Sequence, residues 1–221
     1  MVAIHRTNGS DRLFLKLFVV FLLISFVYIS SFNKTECFVK LNPSHPDALN
    51  NFFVYFTFLG NGLFALVLFV VFLFYRQWLL AVHHIMAFLV SGLAAQLLKQ
   101  LIQAPRPKTF IDPGSYSGFI DGITHAGMAS FPSGHTATAF AMATVFSFYS
   151  KNNMAAVFFQ CMAIAVGYSR VYLGQHFVED VIAGSIIGVL SGIIIFRQVK
   201  SITIPQVMRG KVVEYQVISK Q

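Results

Sequence analysis

Charged side chains make up only 11% of this chain, so those within or beside apolar stretches are costly to place and carry information. They gather in three clusters. Lys99 and Arg106 lie in KQLIQAPRP, Ser133, Gly134 and His135 in PSGH, and Ser169, Arg170, His176 and Asp180 in SRVYLGQHFVED. Two arginines and a lysine supply fork-shaped and point-like donors, a set suited to a tetrahedral oxyanion such as phosphate. Ser133 and Gly134 stand where a helix begins, so the hydroxyl can cap or bind while free backbone amides favour an anion. His176 and Asp180 are four apart and share a helix face. The carboxylate can then hold one imidazole nitrogen and leave the other free to attack. Glu179, three from His176, competes for that face.

Such clusters need a scaffold, and composition says which kind. The chain is 56% hydrophobic with 25 phenylalanines and a mean hydropathy of +0.69, where soluble domains carry about 25% charged residues. Apolar stretches near the ~20 residues needed to cross a bilayer run over 13–32, 52–75, 79–102, 136–149, 155–173 and 177–196. The expected fold is all-α, a six-span transmembrane helix bundle. Its fourth span is short unless the PSGH turn itself dips into the membrane. With both termini cytoplasmic, Arg6, Arg12, Lys16, Arg76, Lys151, Arg197, Lys200, Arg209, Lys211 and Lys220 lie inside, as the positive-inside bias expects. All three clusters then reach the external side. Lys34, Lys40, Lys99, Arg106, Lys108 and Arg170 fall there as well and need a separate reason. This distribution argues against nucleic acid as the partner behind the net charge of +8.

The first apolar run is as long as a span, and SFVYISSFNK lacks a small-residue cleavage site, so a retained anchor is expected rather than a signal peptide. Cys37 and Cys161 are expected to be free thiols. Pro43 and Pro46 interrupt any helix in 33–51, where Asp47 is placed to cap a short one. Residues 104–131, rich in Gly, Ser and Pro, form a connection long enough to serve a function. The chain divides into a membrane domain, 1–196, and a basic cytoplasmic tail, 197–221.

In order and spacing the clusters resemble the three-part signature of the type 2 phosphatidic acid phosphatase superfamily. Its parts here are Lys99, six residues, Arg106-Pro107; then Pro132-Ser133-Gly134-His135; then Ser169-Arg170, five residues, His176, three residues, Asp180. The resemblance covers 99–180. It implies an integral membrane lipid phosphatase with its active site at the external membrane face. By this likeness His176 attacks phosphorus to form a phosphohistidine, Asp180 orients it, and His135 protonates the leaving oxygen and later helps activate water. Lys99, Arg106, Ser133, Gly134 and Arg170 would hold the phosphate oxygens. No metal and no cofactor is implied. Implied substrates are undecaprenyl diphosphate, phosphatidylglycerol phosphate, phosphatidic acid and lipid A phosphates. The implied location is a bacterial inner membrane with N- and C-termini cytoplasmic and the site periplasmic.

Plainer roles compete with these. Singly, Lys99 and Arg170 would be membrane-edge cations that snorkel, Arg106-Pro107 a helix end, and His135 and His176 polar helix residues. His83 and His84 are expected far from the site, His5 in a terminal segment, and His45 and His125 in external loops, with contact to a substrate head group the less favoured reading for each. A phosphotransferase on the same scaffold, or a lipid-phosphate binding or transport protein, are the competing functions. Two histidines with Asp180 favour chemistry, since binding alone needs no positioned nucleophile.

Overall fold

The computed structural model of the chain describes residues 9–150 and 152–199. His5, Arg6, Lys151 and the tail beyond Val199 lie outside the described residues, so the expectations placed on them stay there. Among the described residues the fold is all helical: α1 (Gly9–Ser31), α2 (Lys34–Lys40), α3 (Asp47–Phe56), a 3-10 turn (Thr57–Gly60), α4 (Gly62–Phe74), α5 (Trp78–Ile102), α6 (Pro107–Phe110), α7 (Gly134–Tyr149), α8 (Asn153–Tyr172) and α9 (Val178–Gln198). Cys37 is a buried free thiol and Cys161 an exposed one.

Four of these regions, containing α1, α5, α8 and α9, are long and apolar enough to cross a membrane, and α3 with α4 makes a fifth if the bent pair is one span. The remaining expected span, 136–149, the fourth in chain order, is α7. At 16 residues and ~1.5 Å per residue it is about 24 Å long, short of a hydrocarbon core of about 30 Å. The reason is its place in the bundle. It is buried along nearly its whole length and packs on α5, α8 and α9, so protein rather than lipid covers its backbone and frees it from matching the bilayer.

Close approach of α9 to α7 depends on Gly184, Gly188 and Gly192, one face of α9 at four-residue spacing. A Cβ on Gly184 would stand 2.5 Å from Ser133 O, one on Gly188 would collide with Ala137 O, and one on Gly192 would stand 2.7 Å from Thr144 Cβ. Small residues thus bring the PSGH helix and the His176–Asp180 helix backbone to backbone. α1 closes the other side of α7, with Phe18 against Phe140 at 5.6 Å between ring centroids and the Ser10 hydroxyl donating to Ser150 O at 2.5 Å.

The expected continuous span 52–75 is broken. α3 and α4 meet at 55° across Gly60-Asn61-Gly62. Asn61 Oδ1 accepts from Leu63 N at 2.8 Å and restarts the helix as its N-cap. Asp47 does not cap α3: Pro46 holds that position without a side-chain hydrogen bond, and Asp47 is already helical, where its charge still favours the dipole. α2 was not expected. Its signal is Asn33 and Glu36 three apart, which form a reciprocal capping box.

Candidate functional site

The three clusters converge at one end of the bundle, each delivered by a helix end or a turn. Lys99 sits in the last turn of α5, where its Nζ donates to Ala129 O at 2.9 Å. Arg106 is extended just before α6; its amide donates to Gly127 O at 2.8 Å, and its Nη1 donates to Gln175 Oε1. Gln175 Nε2 in turn donates to Ile123 O at 2.6 Å. One buried amide therefore ties the first cluster to the residue beside His176.

The second cluster opens α7. The Phe131–Pro132 peptide is cis. Ser133, fully buried, accepts from Thr136 N at 3.4 Å and from Thr136 Oγ1 at 2.8 Å, so of its two expected roles the structure shows the cap. Ser133 N donates to Asp180 O at 2.9 Å, which fixes the start of α7 against the start of α9. Gly134 and His135 follow in the first turn, half-buried.

The third cluster straddles the α8–α9 turn. Gly174 has φ +66, the left-handed region that glycine adopts without strain just past a helix end, and a Cβ there would stand 2.8 Å from Thr124 Cγ2. The turn folds back so that the Gln175 and His176 amides both donate to Arg170 O, at 3.0 and 3.2 Å. Arg170 is buried. Its Nη1 donates to Thr57 Oγ1 at 2.9 Å, while its Nε has no hydrogen-bond partner among the described residues. A buried guanidinium with an unused donor is poised for an anion.

His176 is 2% exposed, and its Nδ1 stands 3.4 Å from Asp180 Oδ2. That is long for a hydrogen bond, so the pair orients the ring electrostatically; such contacts tighten when substrate enters. Asp180 Oδ2 also receives the Ser130 hydroxyl at 2.5 Å and the Phe177 amide at 2.8 Å. Glu179 does not share this contact; its charge bears on Cys37 instead. His135 lies within electrostatic reach of Arg170, His176, Lys99 and Arg106, and His176 within reach of Asp180, Arg170 and Lys99. Burial pushes the His176 ring down to about pKa 4; Asp180 opposes the shift, while Arg170 and Lys99 add to it.

Of the other cations on this side, Lys34 covers the Phe177 ring at 4.2 Å and Lys40 the Phe32 ring at 4.4 Å. His83 and His84 are buried near the opposite end of α5, sixteen and fifteen residues before Lys99 or more than about 22 Å at ~1.5 Å per residue. His45 bonds Tyr116 OH at 2.8 Å and its ring packs on Tyr172, tying two loops together; His125 is exposed. Among the described residues no group of three or more His, Cys, Asp or Glu could hold a metal ion. Three contributors were missed from the sequence: Thr57, Ser130 and Gln175. A lone threonine in the apolar run FFVYFTFLG was the legible signal for the first.

This bundle, with its three clusters at one end, has the layout of a membrane phosphatase. The profile of the PAP2 superfamily matches residues 78–204, more than half of the chain, and the chain belongs to that superfamily. Lipid A 1-phosphatase of Rhizobium etli is 43% identical over 98 residues, covering 44% of this chain and 41% of that protein. Phosphatidylglycerophosphatase B of Bacillus subtilis is 31% identical over 155 residues, covering 64% and 71%. The chain thus spans about two fifths of the length of its rhizobial relative. Among solved structures, Aquifex aeolicus LpxE superposes with a TM-score of 0.65 at 30% identity, covering 73% of this chain and 93% of that one. A PAP2-type phosphatidylglycerolphosphate phosphatase from Bacillus subtilis superposes at 0.61 with 26% identity, covering 84% and 96%. The protein is an integral membrane protein of this kind.

Proposed function

We propose that this protein hydrolyses a phosphomonoester or diphosphate on a membrane lipid, through a phosphohistidine on His176. The observation that carries the reading is the buried His176–Asp180 pair ringed by Lys99, Arg106, Arg170 and His135. With Nδ1 turned to Asp180, Nε2 is the attacking atom. It forms the P–N bond as the bond from phosphorus to the leaving oxygen breaks, and His135 gives that oxygen its proton. Water then attacks phosphorus with His135 as base, the P–N bond breaks, and phosphate leaves. Lys99, Arg106 and Arg170 hold the phosphate oxygens with the Gly134 amide and the Ser133 hydroxyl beside them, a positioning and electrostatic task in which one lost donor typically costs ~10²–10³ in rate. The groups present need no metal for these steps.

Relatives named for lipid A, phosphatidylglycerophosphate and undecaprenyl diphosphate define the head groups to try, with phosphatidic acid beside them. Purified full-length protein, offered these lipids with and without chelator, is expected to release phosphate equally in both conditions, and His176→Ala to release none. Full turnover by His176→Ala, or transfer of labelled phosphate to an acceptor lipid instead of water, would sink the reading. We take the site end to face the periplasm of a bacterial inner membrane; Arg12, Lys16, Arg76 and Arg197 at the opposite end support this through the positive-inside bias. An exposed Ser115→Cys should react with an impermeant maleimide in spheroplasts, and protection there would reverse the topology.

A further inference from the structure

The break between α3 and α4 brings a fourth segment to the site. Thr57 and Gly60 stand three apart in the 3-10 turn, a spacing at which residues eclipse and share one face. That face meets two of the three clusters, although the turn belongs to none of them. Thr57 Oγ1 accepts from Arg170 Nη1 on α8 at 2.9 Å. Gly60 is buried against the root of His135 on α7: a Cβ there would stand 2.7 Å from His135 O and 3.1 Å from His135 Cβ, with Val166 Cγ1 on α8 also at 2.7 Å. The far end of the turn is held as well. The Asn61 side chain caps α4, and a Cβ on Gly62 would stand 3.0 Å from Phe88 Cζ on α5. The turn is thus wedged among α5, α7 and α8, with one face on Arg170 and His135 together.

We propose that Thr57 and Gly60 are positioning residues of this site: Thr57 aims Arg170 at the phosphate, and Gly60 lets the turn back His135 so that its ring meets the leaving oxygen. A planar guanidinium fork matches an oxyanion only when its plane is set. With Nη1 held by Thr57, Arg170 keeps Nε, buried and without a hydrogen-bond partner among the described residues, for a phosphate oxygen. The His135 imidazole hangs from a Cβ that Gly60 backs, so a displaced turn displaces the ring. The proposal rests on the lipid phosphatase reading. A threonine that only satisfied a buried guanidinium, and a glycine that only allowed close packing, would change stability and leave phosphate affinity and leaving-group dependence unmoved.

Two measurements on the full chain in micelles test it. Inorganic phosphate, titrated by calorimetry, reads Arg170 without turnover. Thr57→Val, close in shape but without the hydroxyl, should weaken phosphate about tenfold, the effect of one hydrogen bond to a charged group. Thr57→Ser should bind as the unaltered protein does. Equal binding by Thr57→Val, or no phosphate binding by the unaltered protein, overturns the role of Thr57. For Gly60→Ala the readout is the leaving group. Phosphatidic acid must expel an alkoxide, which needs the proton from His135, whereas diacylglycerol diphosphate expels a phosphate that carries its own charge. Relieving a 2.7 Å contact moves the turn or His135 by about 0.7 Å, and a misplacement of ~1 Å can cost ~10²-fold. Hence kcat/KM for phosphatidic acid should fall about tenfold or more, and that for the diphosphate far less. Phosphate affinity should be kept, which shows that the variant folds. Equal falls on both lipids, a fall on neither, or phosphate binding lost together with turnover overturns the role of Gly60. Failure of the phosphatase reading looks different: the unaltered protein then releases phosphate from neither lipid and the Gly60 role falls with it, while the phosphate titrations still decide Thr57.

Discussion

The Ser130 hydroxyl donates to Asp180 Oδ2 at 2.5 Å across fifty residues of chain, and the same oxygen stands 3.4 Å from His176 Nδ1. Ser130 therefore fixes the carboxylate that faces the proposed nucleophile, although it belongs to none of the three clusters. Hydrogen bonds to charged groups contribute about 1.5 kcal/mol or more, roughly one decade of rate. Ser130→Ala is expected to lower kcat about tenfold with KM unchanged, and Ser130→Thr to restore it. A KM effect without a kcat effect would show that Ser130 only shapes the binding loop.

Gln175 lies on the side of the proposed phosphate pocket. Its Oε1 accepts from Arg106 Nη1 while its Nε2 is anchored to Ile123 O, so it aims the guanidinium from behind. Gln175→Ala should raise KM and the inhibition constant of inorganic phosphate several-fold, about 1 kcal/mol for one hydrogen bond, with little change in kcat. Gln175→Glu should raise both further, because a carboxylate competes with phosphate for the same fork. An unchanged phosphate inhibition constant in both variants would refute the role.

Glycine positions separate packing from chemistry. At Gly184 a Cβ would meet Ser133 O at 2.5 Å and Thr136 Cβ at 3.1 Å, while at Gly92 on α5 it would meet nothing within 4 Å. Gly184→Ala is expected to lower stability by ~1–3 kcal/mol through overpacking and to lower activity by displacing Ser133. Gly92→Ala should be neutral or stabilising by up to ~1 kcal/mol, since alanine is the better helix former. Thermal unfolding and turnover of the two variants side by side check this; equal Tm values would remove the close-packing argument for α9 on α7.

The chemistry of this chain was more legible than its architecture. Lys99, Arg106, Arg170, His135 and His176 stand out because charge is expensive in an apolar chain, and expense marks purpose. The lengths of the apolar runs then placed the spans, since runs bounded by Pro, Gly and Asn can be read directly. The break at Gly60-Asn61-Gly62 was hidden because an Asn in an apolar run reads as tolerated until its side chain is seen to cap Leu63. The shortness of α7 was visible, but its cause was not: only packing shows that α5, α8 and α9 enclose it. Ser130 and Gln175 were invisible for a similar reason, as uncharged polar residues in loops are common and only distance singles them out.

His176 carries the last prediction, on pH. An unfolded histidine titrates near ~6.5, whereas burial holds this ring near pKa 4 in the fold. Between these values the unfolded chain binds a proton that the folded chain refuses. The stability linked to this group is therefore complete above about pH 6.5 and is lost as pH falls toward 4. The same depression keeps the proposed nucleophile neutral through mildly acidic conditions, so the ring should titrate near pH 4 when followed by ¹⁵N-histidine NMR in micelles. Asp180 works against the depression, so Asp180→Asn should move the midpoint lower still while reducing kcat, because the ring loses its orienting partner. A midpoint at or above 6.5 in the unaltered protein would mean that the ring is hydrated and not held in the buried geometry that the proposed attack requires.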